Sequence, residues 1–501
     1  MAIASNKPHK SNRSFVTICF PPIFDMTTFQ DARRAPGAGQ RPRLAHVPSA
    51  MASSFSTDCK PPAVSGNRRA AARHQTSNQI ASVWVIFSSA DLPRHVYFHK
   101  VVRLILPESL AAPNGPGSAK ILEPVAMAKS DKELPDLSAR DSYALVARDA
   151  TPVEGPVLDY APPMPSDKSL GIGLIGAGGI SFAHLDAYRT YGLNVVAICD
   201  RHLDRAERRR DQFFPNALAT DKIDDLIRNS HISVLDITLH PEDRLPLIRR
   251  AIMAGQHVLS QKPFVRDLDV GRELVELADR NGVLLAVNQN GRWAPHLCYI
   301  REAVSAGLIG EVTAVHVSIQ WDHSWIAGTP FEKIDQIVLD DFAIHWFDFL
   351  ASIIGDTAET VYATGSRAHG QKVASQLLAQ ALVAYPGGQA SLVFDGMTRF
   401  GAQDSTVVVG TLGTLRSTGP DLGHQTVSLH TADGVARPEL AGQWFNDGFA
   451  GAMGALLVAI ESGNPPNNSA RGNLVSLRLC EAAIESARIA APVNVRPAEY
   501  S

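Results

Sequence analysis

Two acidic residues and a histidine are spaced so that they could act together on a substrate. Asp341, His345 and Asp348 lie at intervals of four and three residues in LDDFAIHWFDFLASIIG, a predicted helix beginning at Leu339. Such positions share one helix face. An imidazole with an ordinary pKa of about 6.5 can accept a hydroxyl proton during alcohol oxidation if a partner orients it. The pattern equally fits an acidic helix N-terminus followed by a core histidine, so both interpretations stay open.

A lysine in HVLSQKPF is the second candidate for chemistry. Lys262 follows a short apolar run of strand type. Ligands of doubly wound folds bind at the carboxyl edge of the sheet, where this lysine would lie. Its ammonium could then hold negative charge developing on a substrate oxygen. A solvated loop lysine is the equally simple alternative.

The stretch GIGLIGAGGI fits the dinucleotide-binding spacing G-x-G-x-x-G in two registers. The apolar run LGIGLI must form the first strand, so Gly171 and Gly173 are predicted inside it. Gly176 and Gly178 then occupy the strand-to-helix turn, where backbone N–H groups can bind a phosphate. Ser181 replaces the third glycine and is small enough for the helix to pack on the strand.

An acidic residue downstream gives this turn its context. Asp200 ends the second apolar run, 24 residues after Gly176. A carboxylate there can accept hydrogen bonds from ribose hydroxyls and would repel a 2′-phosphate, which favours NAD. The adjacent Arg201 could instead bind that phosphate, so NADP stays possible.

The pattern of apolar runs predicts the elements that carry these residues. Strand-length runs alternate with helical periodicity over residues 166–290, which predicts a doubly wound parallel sheet in an α/β domain. Residues 291–501 contain several alternating strands between helices. They predict an α+β domain with a large, mainly antiparallel sheet that is open on one face.

The first third of the chain has a different composition. Up to Ala126 it contains 15 Lys and Arg against 6 Asp and Glu, and Pro, Gly and Ser interrupt it repeatedly. Residues 1–165 are therefore predicted to be a disordered extension. It could be an organelle transit peptide, a basic arm for nucleic acid or membrane, or an upstream stretch absent from a protein that starts at Met127; we favour the last.

Overall composition excludes several classes of protein. The 501 residues are 45% hydrophobic and 19% charged, and no apolar run approaches the roughly 18 residues of a membrane helix. Five single cysteines without a C-x-x-C pair argue against a metal cluster or a disulfide scaffold. We expect a cytoplasmic protein with no bound metal and no nucleic-acid or membrane partner.

Taken in order, these residues resemble the Gfo/Idh/MocA family, named for glucose–fructose oxidoreductase, inositol dehydrogenase and a rhizopine-catabolism protein. GLIGAGGIS is similar to the first turn of the family, AGQHVLSQKP to its A-G-x-H-V-x-x-E-K-P motif, and DDFAIH to its D-x-x-x-H motif. The resemblance extends from Leu170 to Val495. It implies a Rossmann domain followed by an α/β domain whose open sheet often forms a homodimer or homotetramer interface.

The resemblance also implies an activity, namely NAD(P)-dependent oxidation or reduction of a hydroxyl group on a sugar, sugar derivative or cyclitol. In that mechanism His345 is the acid/base, Asp341 orients it or the substrate, and Lys262 binds the reacting oxygen. Substrate contacts are expected from these groups and from Asn290, Arg292 and Trp293. Cofactor contacts are expected from Gly176, Gly178, Gly179, Ile180, Asp200, Arg201, Thr238, Gln261 and Lys262.

The sequence departs from the family pattern at three positions. Gln261 replaces the glutamate before the lysine, while Leu239 and Asp243 replace the proline and histidine of T-P-x-x-x-H. Two other functions remain as alternatives, a glycosidase that recycles bound NAD and a catalytically silent dinucleotide-binding regulator. The intact catalytic trio argues against the regulator.

Overall fold

The computed structural model describes residues 151–495. The predicted start at Met127, and the predicted extension up to residue 150, lie outside this range. Residues 151–165, which the sequence assigned to the extension, are structured. Tyr160 packs edge-on against Tyr299 with ring centroids 6.0 Å apart, and the Tyr299 hydroxyl donates to the carbonyl of Pro156 at 3.0 Å. Contacts with residues far along the chain order this segment, and composition cannot reveal them.

The first large unit is a six-stranded parallel sheet in the order β4-β3-β2-β5-β6-β7, which confirms the predicted doubly wound fold. Three of these strands are buried at every residue, as expected for a sheet covered by helices on both faces. After the short strand β1 (Pro152–Val153), the elements are β2 (Ile172–Ile175), α1 (Ser181–Thr190), β3 (Val195–Cys199), α2 (Leu203–Phe213), β4 (Leu218–Thr220), α3 (Ile223–Ile227), β5 (Val234–Ile237), α4 (Pro241–Met253), β6 (His257–Gln261), α5 (Leu268–Arg280) and β7 (Leu285–Asn288).

The first strand of the parallel sheet, β2, starts two residues later than predicted. Strand β2 begins at Ile172, so Gly173 lies inside it and Gly171 immediately precedes it. A Cβ on Gly171 would lie 1.9 Å from the carbonyl oxygen of His231, so only glycine permits this close approach of the neighbouring loop.

The second unit is a ten-stranded sheet in the order β1-β15-β14-β13-β12-β8-β11-β10-β9-β16. Only the pairs β1 with β15 and β8 with β11 are parallel, so the sheet is mainly antiparallel as predicted. The elements are α6 (Pro295–Ser305), β8 (Val312–Gln320), α7 (Ile344–Ile354), β9 (Thr360–Ser366), β10 (Leu378–Tyr385), β11 (Gly388–Asp395), β12 (Gln403–Gly410), β13 (Gly413–Asp421), β14 (His424–Thr431), β15 (Gly434–Ala436), α8 (Trp444–Ser462), α9 (Ala470–Ile489) and β16 (Val493–Asn494).

One face of this sheet packs on helices, and within the described residues the other face is open. Burial alternates strictly along β10, where buried residues alternate with exposed ones such as Leu382. Within residues 151–495, no helix has the length and apolar character needed to cross a membrane.

The predicted helix from Leu339 is interrupted. Residues Val338–Phe342 form a π-helical turn, and the regular helix α7 begins only at Ile344. A π turn holds more residues than an α turn, so it changes which later side chains share a face. Asp341 and His345 line the central cavity, whereas Asp348 binds Arg292 instead. His345 and Asp348 lie three residues apart within the regular helix α7, but Asp348 does not line the cavity.

A buried acidic residue lies on the helix-facing side of the large sheet. Asp404 is fully buried on β12, and its carboxylate oxygens have no hydrogen-bond partner within the described residues. Burial, reinforced by the nearby Asp421, raises the pKa of Asp404 to about 7. The folded protein therefore favours the protonated, neutral form.

Because burial disfavours the charged form of Asp404, we expect Asp404→Asn to raise thermal stability by an amount that depends on pH. The stabilising effect of the raised pKa is fully present below 3.8, the ordinary pKa of an aspartate, and is lost as the pH rises through about 7. We expect the Tm of the variant to exceed that of the wild type by a margin that grows from about pH 4 to about pH 7 and is constant above. Thermal unfolding across this range measures the margin, and a margin independent of pH would contradict the assignment.

Candidate active site

A single cavity of about 960 Å³ joins the predicted cofactor and catalytic residues. At one end it is lined by Gly176 and Asp200, and at the other by Asp341 and His345, with Lys262 between them. Lys262 directly follows β6, at the carboxyl edge of the parallel sheet. The cavity therefore lies where doubly wound folds bind their ligands.

Lys262 and Asp341 form an ion pair in the cavity wall. The Lys262 ammonium donates to the Asp341 carboxylate at 3.1 Å and to the Asp341 main-chain carbonyl at 2.8 Å. Both side chains are mostly buried, with 15% and 24% of their surfaces exposed. An ammonium has three hydrogens to donate, so one is left for a substrate oxygen.

His345 is held by aromatic packing rather than by a polar partner. Its ring meets Trp444 edge-on with centroids 5.5 Å apart, and its Nδ1 is buried without a hydrogen-bond partner within the described residues. Burial, and secondarily the charge of Lys262, lowers the pKa of His345 well below its usual value. The ring is therefore neutral at physiological pH and can accept a proton. The expectation of an ordinary pKa is corrected by this burial.

The main chain at Lys262 is fixed by a buried amide pair. The Gln261 side-chain oxygen accepts from the Lys262 N–H at 2.8 Å and from the Asn288 amide at 3.0 Å. The same Asn288 nitrogen lies 3.1 Å from Nε2 of His184. Gln261, which replaces the family's glutamate, thus acts here as a hydrogen-bond acceptor.

From Asn288 the hydrogen bonds continue to residues of α1 and β5, where they form a buried network. With Asn288 donating to Nε2, the neutral His184 ring donates from Nδ1 to Asp236 at 2.7 Å. The Tyr188 hydroxyl donates to the same carboxylate oxygen at 2.7 Å. All three of these side chains are fully buried. We call His184, Tyr188, Asp236, Asn288 and Gln261 the buried network.

The glycine turn presents free N–H groups to the cavity. Gly176 has a φ of +104°, a conformation that favours glycine, and the Thr238 hydroxyl donates to its carbonyl. No side chain caps the N-terminus of α1, and a Cβ on Gly178 or Gly179 would meet nothing within 4 Å. Helix N-termini of this kind bind phosphates. Gly178, Gly179 and Ile180 therefore fit the pyrophosphate of a dinucleotide.

Asp200 braces the turn as well as lining the cavity. Its carboxylate accepts from the Ala177 N–H at 2.8 Å and from the His202 N–H at 2.9 Å. Arg201 and Arg205 also line the cavity nearby. The residues at this end therefore fit an adenosine ribose, with cations beside the carboxylate.

Two of the three predicted substrate residues lie elsewhere. Arg292 is paired with Asp348 through two hydrogen bonds of 2.7 and 2.9 Å, and Trp293 is 2% exposed, packed among small residues. Neither lines the cavity, because the short helical turn Asn290–Trp293 directs them into the protein interior. Asn290 does line it, and accepts a hydrogen bond from the Trp444 indole at 2.8 Å.

Sequence reasoning missed other residues of the cavity wall. Arg244 is fully buried there, and its guanidinium donates to the carbonyls of Leu239 and Phe264. Its spacing from Leu247 and Ile248 on the apolar face of α4 is a signal that could have indicated this burial. The aromatic lining residues outside the predicted site are His240, Trp321, His323, Trp325, Phe331, Phe342, Trp346, Trp444, Phe445 and Phe449.

Comparison with known proteins identifies both parts of the chain. Residues 170–289 match the oxidoreductase family with an NAD-binding Rossmann fold, and residues 298–416 match the GFO/IDH/MocA C-terminal domain. D-apiose dehydrogenase from Paraburkholderia graminis is 28% identical over 345 residues, which are 65% of this chain and 90% of that protein. Inositol 2-dehydrogenase from Rhizobium meliloti is 25% identical over 324 residues, 63% of this chain and 96% of that protein.

Solved structures share the fold. An oxidoreductase from Agrobacterium radiobacter, solved in complex with NAD⁺, L-tartaric acid and magnesium, has a TM-score of 0.59 and 23% identity over 65% of this chain and 98% of its own. The WlbA dehydrogenase from Bordetella pertussis, in complex with NADH and UDP-GlcNAcA, has a TM-score of 0.56 and 20% identity over 66% and 99%. Through its nucleotide domain and the sheet that follows, the chain belongs to the Gfo/Idh/MocA family of NAD-binding oxidoreductases.

Proposed function

We propose that this protein is an NAD(P)-dependent dehydrogenase or reductase acting on a hydroxyl group of a sugar, sugar derivative or cyclitol. The observation that carries the proposal is the cavity that the Lys262–Asp341 pair and the neutral ring of His345 line together with the glycine turn. The names of the relatives, which include D-apiose and inositol dehydrogenases, support this substrate class.

Lys262, Asp341 and His345 each have a different role at the reacting hydroxyl. Bound NAD supplies the hydride acceptor. Lys262 binds the reacting oxygen through its remaining N–H, and Asp341 holds the ammonium in place. His345 accepts the hydroxyl proton at Nε2, since Nδ1 is buried, and returns the proton in reduction. The aromatic rings around His345 exclude water from this proton transfer.

A substrate panel tests the proposal. Sugars and polyols are offered with NAD⁺ or NADP⁺, and NADH or NADPH fluorescence is recorded. Net reduced cofactor formed with a free sugar or cyclitol supports the dehydrogenase. Glycoside cleavage without net NADH would indicate the glycosidase with recycled cofactor, and binding of NAD without any turnover would indicate the regulator.

We expect Asp200→Ala to change cofactor preference. The carboxylate is placed to bind ribose hydroxyls and to repel a 2′-phosphate, so its loss should raise the Kd for NAD more than the Kd for NADP. The ratio of the two values is the readout, because loosening of the turn at Ala177 affects both cofactors alike. Asp204→Ala, an exposed acidic residue on α2, is the control. An unchanged ratio would contradict the ribose role.

Three further proposals concern the domain boundaries, the location and the oligomeric state of the protein. We propose domain boundaries at residues 166–290 and 291–501, a cytoplasmic location, and a homodimer or homotetramer formed through the open face of the large sheet. Half-exposed apolar residues on that face, Tyr362, Leu382 and Val393, support the interface. Sedimentation analysis of the full chain tests the oligomeric state.

A further inference from the structure

Five rings form a continuous row along the cavity wall. Phe342 contacts His323 with centroids 4.8 Å apart, His323 contacts Trp325 at 5.0 Å, Trp325 contacts Phe331 at 5.8 Å, and Phe331 contacts His240 at 5.8 Å. All five line the cavity. We call this row the aromatic strip.

The strip leads from the catalytic residues to the surface. It begins at Phe342, the neighbour of Asp341, and reaches Trp325, which is 57% exposed. Phe445 on α8 also lines the cavity and is 54% exposed. Large aromatic side chains left in water at a cavity mouth indicate a surface that binds an apolar partner.

The acidic residues that adjoin the strip in sequence, Asp322, Glu332 and Asp341, have hydrogen-bond partners of their own. Burial lowers the pKa of His323 to about 4, so its ring is neutral at physiological pH. The Asp322 carboxylate accepts from the Ser324 N–H at 3.0 Å and lies 3.8 Å from Arg399. Arg292, expected to bind substrate, is held by Asp348. Lys262 and His345, which are proposed above to bind the reacting hydroxyl, are not part of the strip.

The aromatic strip and the pair Lys262 and His345 would contact different ends of a bound substrate. We propose that the substrate carries a planar apolar group, aryl or comparable, beside its reacting hydroxyl, and that Trp325 and Phe331 form the subsite for that group. The inference rests on the proposed function, because the hydroxyl end is placed by Lys262 and His345. An aromatic group here gains buried apolar area and edge-to-face contacts with the two rings.

A matched pair of small diols tests the subsite without requiring the correct sugar. 1-Phenylethane-1,2-diol and propane-1,2-diol present the same vicinal hydroxyls and differ in phenyl against methyl. Calorimetric titration of the NAD⁺-saturated full chain gives both Kd values. We expect the phenyl diol to bind at least about tenfold more tightly. Trp325→Ala should remove most of this preference, whereas Phe400→Ala, an aromatic residue 91% exposed and outside the cavity lining, should leave it intact.

Equal affinities, a preference unaffected by Trp325→Ala, or no measurable binding of the phenyl diol would overturn the subsite. Oxidation of sugars by a protein without phenyl preference leaves the proposed function standing and removes the inference. Phenyl preference in a protein that oxidises neither diols nor sugars supports the subsite and refutes the proposed function.

Discussion

Lys262→Met and His345→Ala should each lower kcat by at least about a hundredfold, the usual scale for acid–base and charge-stabilising groups. Methionine keeps most of the length of the lysine side chain but removes the ammonium that the Asp341 carboxylate and carbonyl hold. Alanine at position 345 removes the imidazole that accepts the hydroxyl proton. Steady-state NADH formation on the best substrate of the panel measures both effects.

The Kd for NAD shows whether a variant has lost only its catalytic group or has also lost the structure of the cofactor site. We expect the Kd for NAD to change little in either variant, because the pyrophosphate and ribose groups are bound at the glycine turn and Asp200. Lys222→Met and His231→Ala, both exposed residues, serve as controls for each kind of substitution. Near-normal kcat in Lys262→Met and His345→Ala would refute the proposed catalytic roles.

Asp348→Ala should lower the free energy of unfolding by about 3–5 kcal/mol, since it leaves the Arg292 guanidinium buried without its counter-charge. The pair is bidentate, and the Ser476 hydroxyl donates to the same carboxylate at 2.8 Å. Asp348 is 2% exposed and Arg292 12% exposed. Urea denaturation of the full chain measures the change.

The double variant tests whether the loss comes from the unpaired charge. Asp348→Leu combined with Arg292→Met replaces both ions by apolar side chains and should recover most of the stability. Glu485→Ala, which removes an exposed ion pair with Arg488, should change stability little. A double variant as unstable as Asp348→Ala would mean that packing around Ser476, rather than charge, sets the effect.

The parts of the fold that follow from local pattern were predictable. Continuous apolar runs between amphipathic segments predict the parallel sheet, because its strands are buried on both faces. The glycine register follows from the same reasoning, since Gly173 falls within a strand and Gly176 in the turn after it. Lys262, Asp341 and His345 come together in one cavity as the family motifs imply, and their catalytic roles stay predictions.

What could not be predicted depends on contacts between distant residues. The π turn at Val338–Phe342 shows no period of its own in the sequence, so the interruption of the predicted helix before α7 could not be predicted. Arg292 looks like a substrate ligand until the position of Asp348 is known. The aromatic strip joins His240 of the nucleotide domain to rings some 80 to 100 positions later, so only the folded chain shows it.

The buried network has a consequence for how this sequence can vary. Asp236 occupies the middle of a fully buried strand, where an apolar residue would normally pack, and is tolerated because His184 and Tyr188 donate to it. Loss of either donor leaves the buried carboxylate with one of its two hydrogen bonds, and loss of Asp236 leaves two buried donors without this acceptor. These positions are therefore expected to change together between relatives. A protein in which only one of His184, Tyr188 and Asp236 is substituted is expected to be less stable than one that keeps all three or replaces all three.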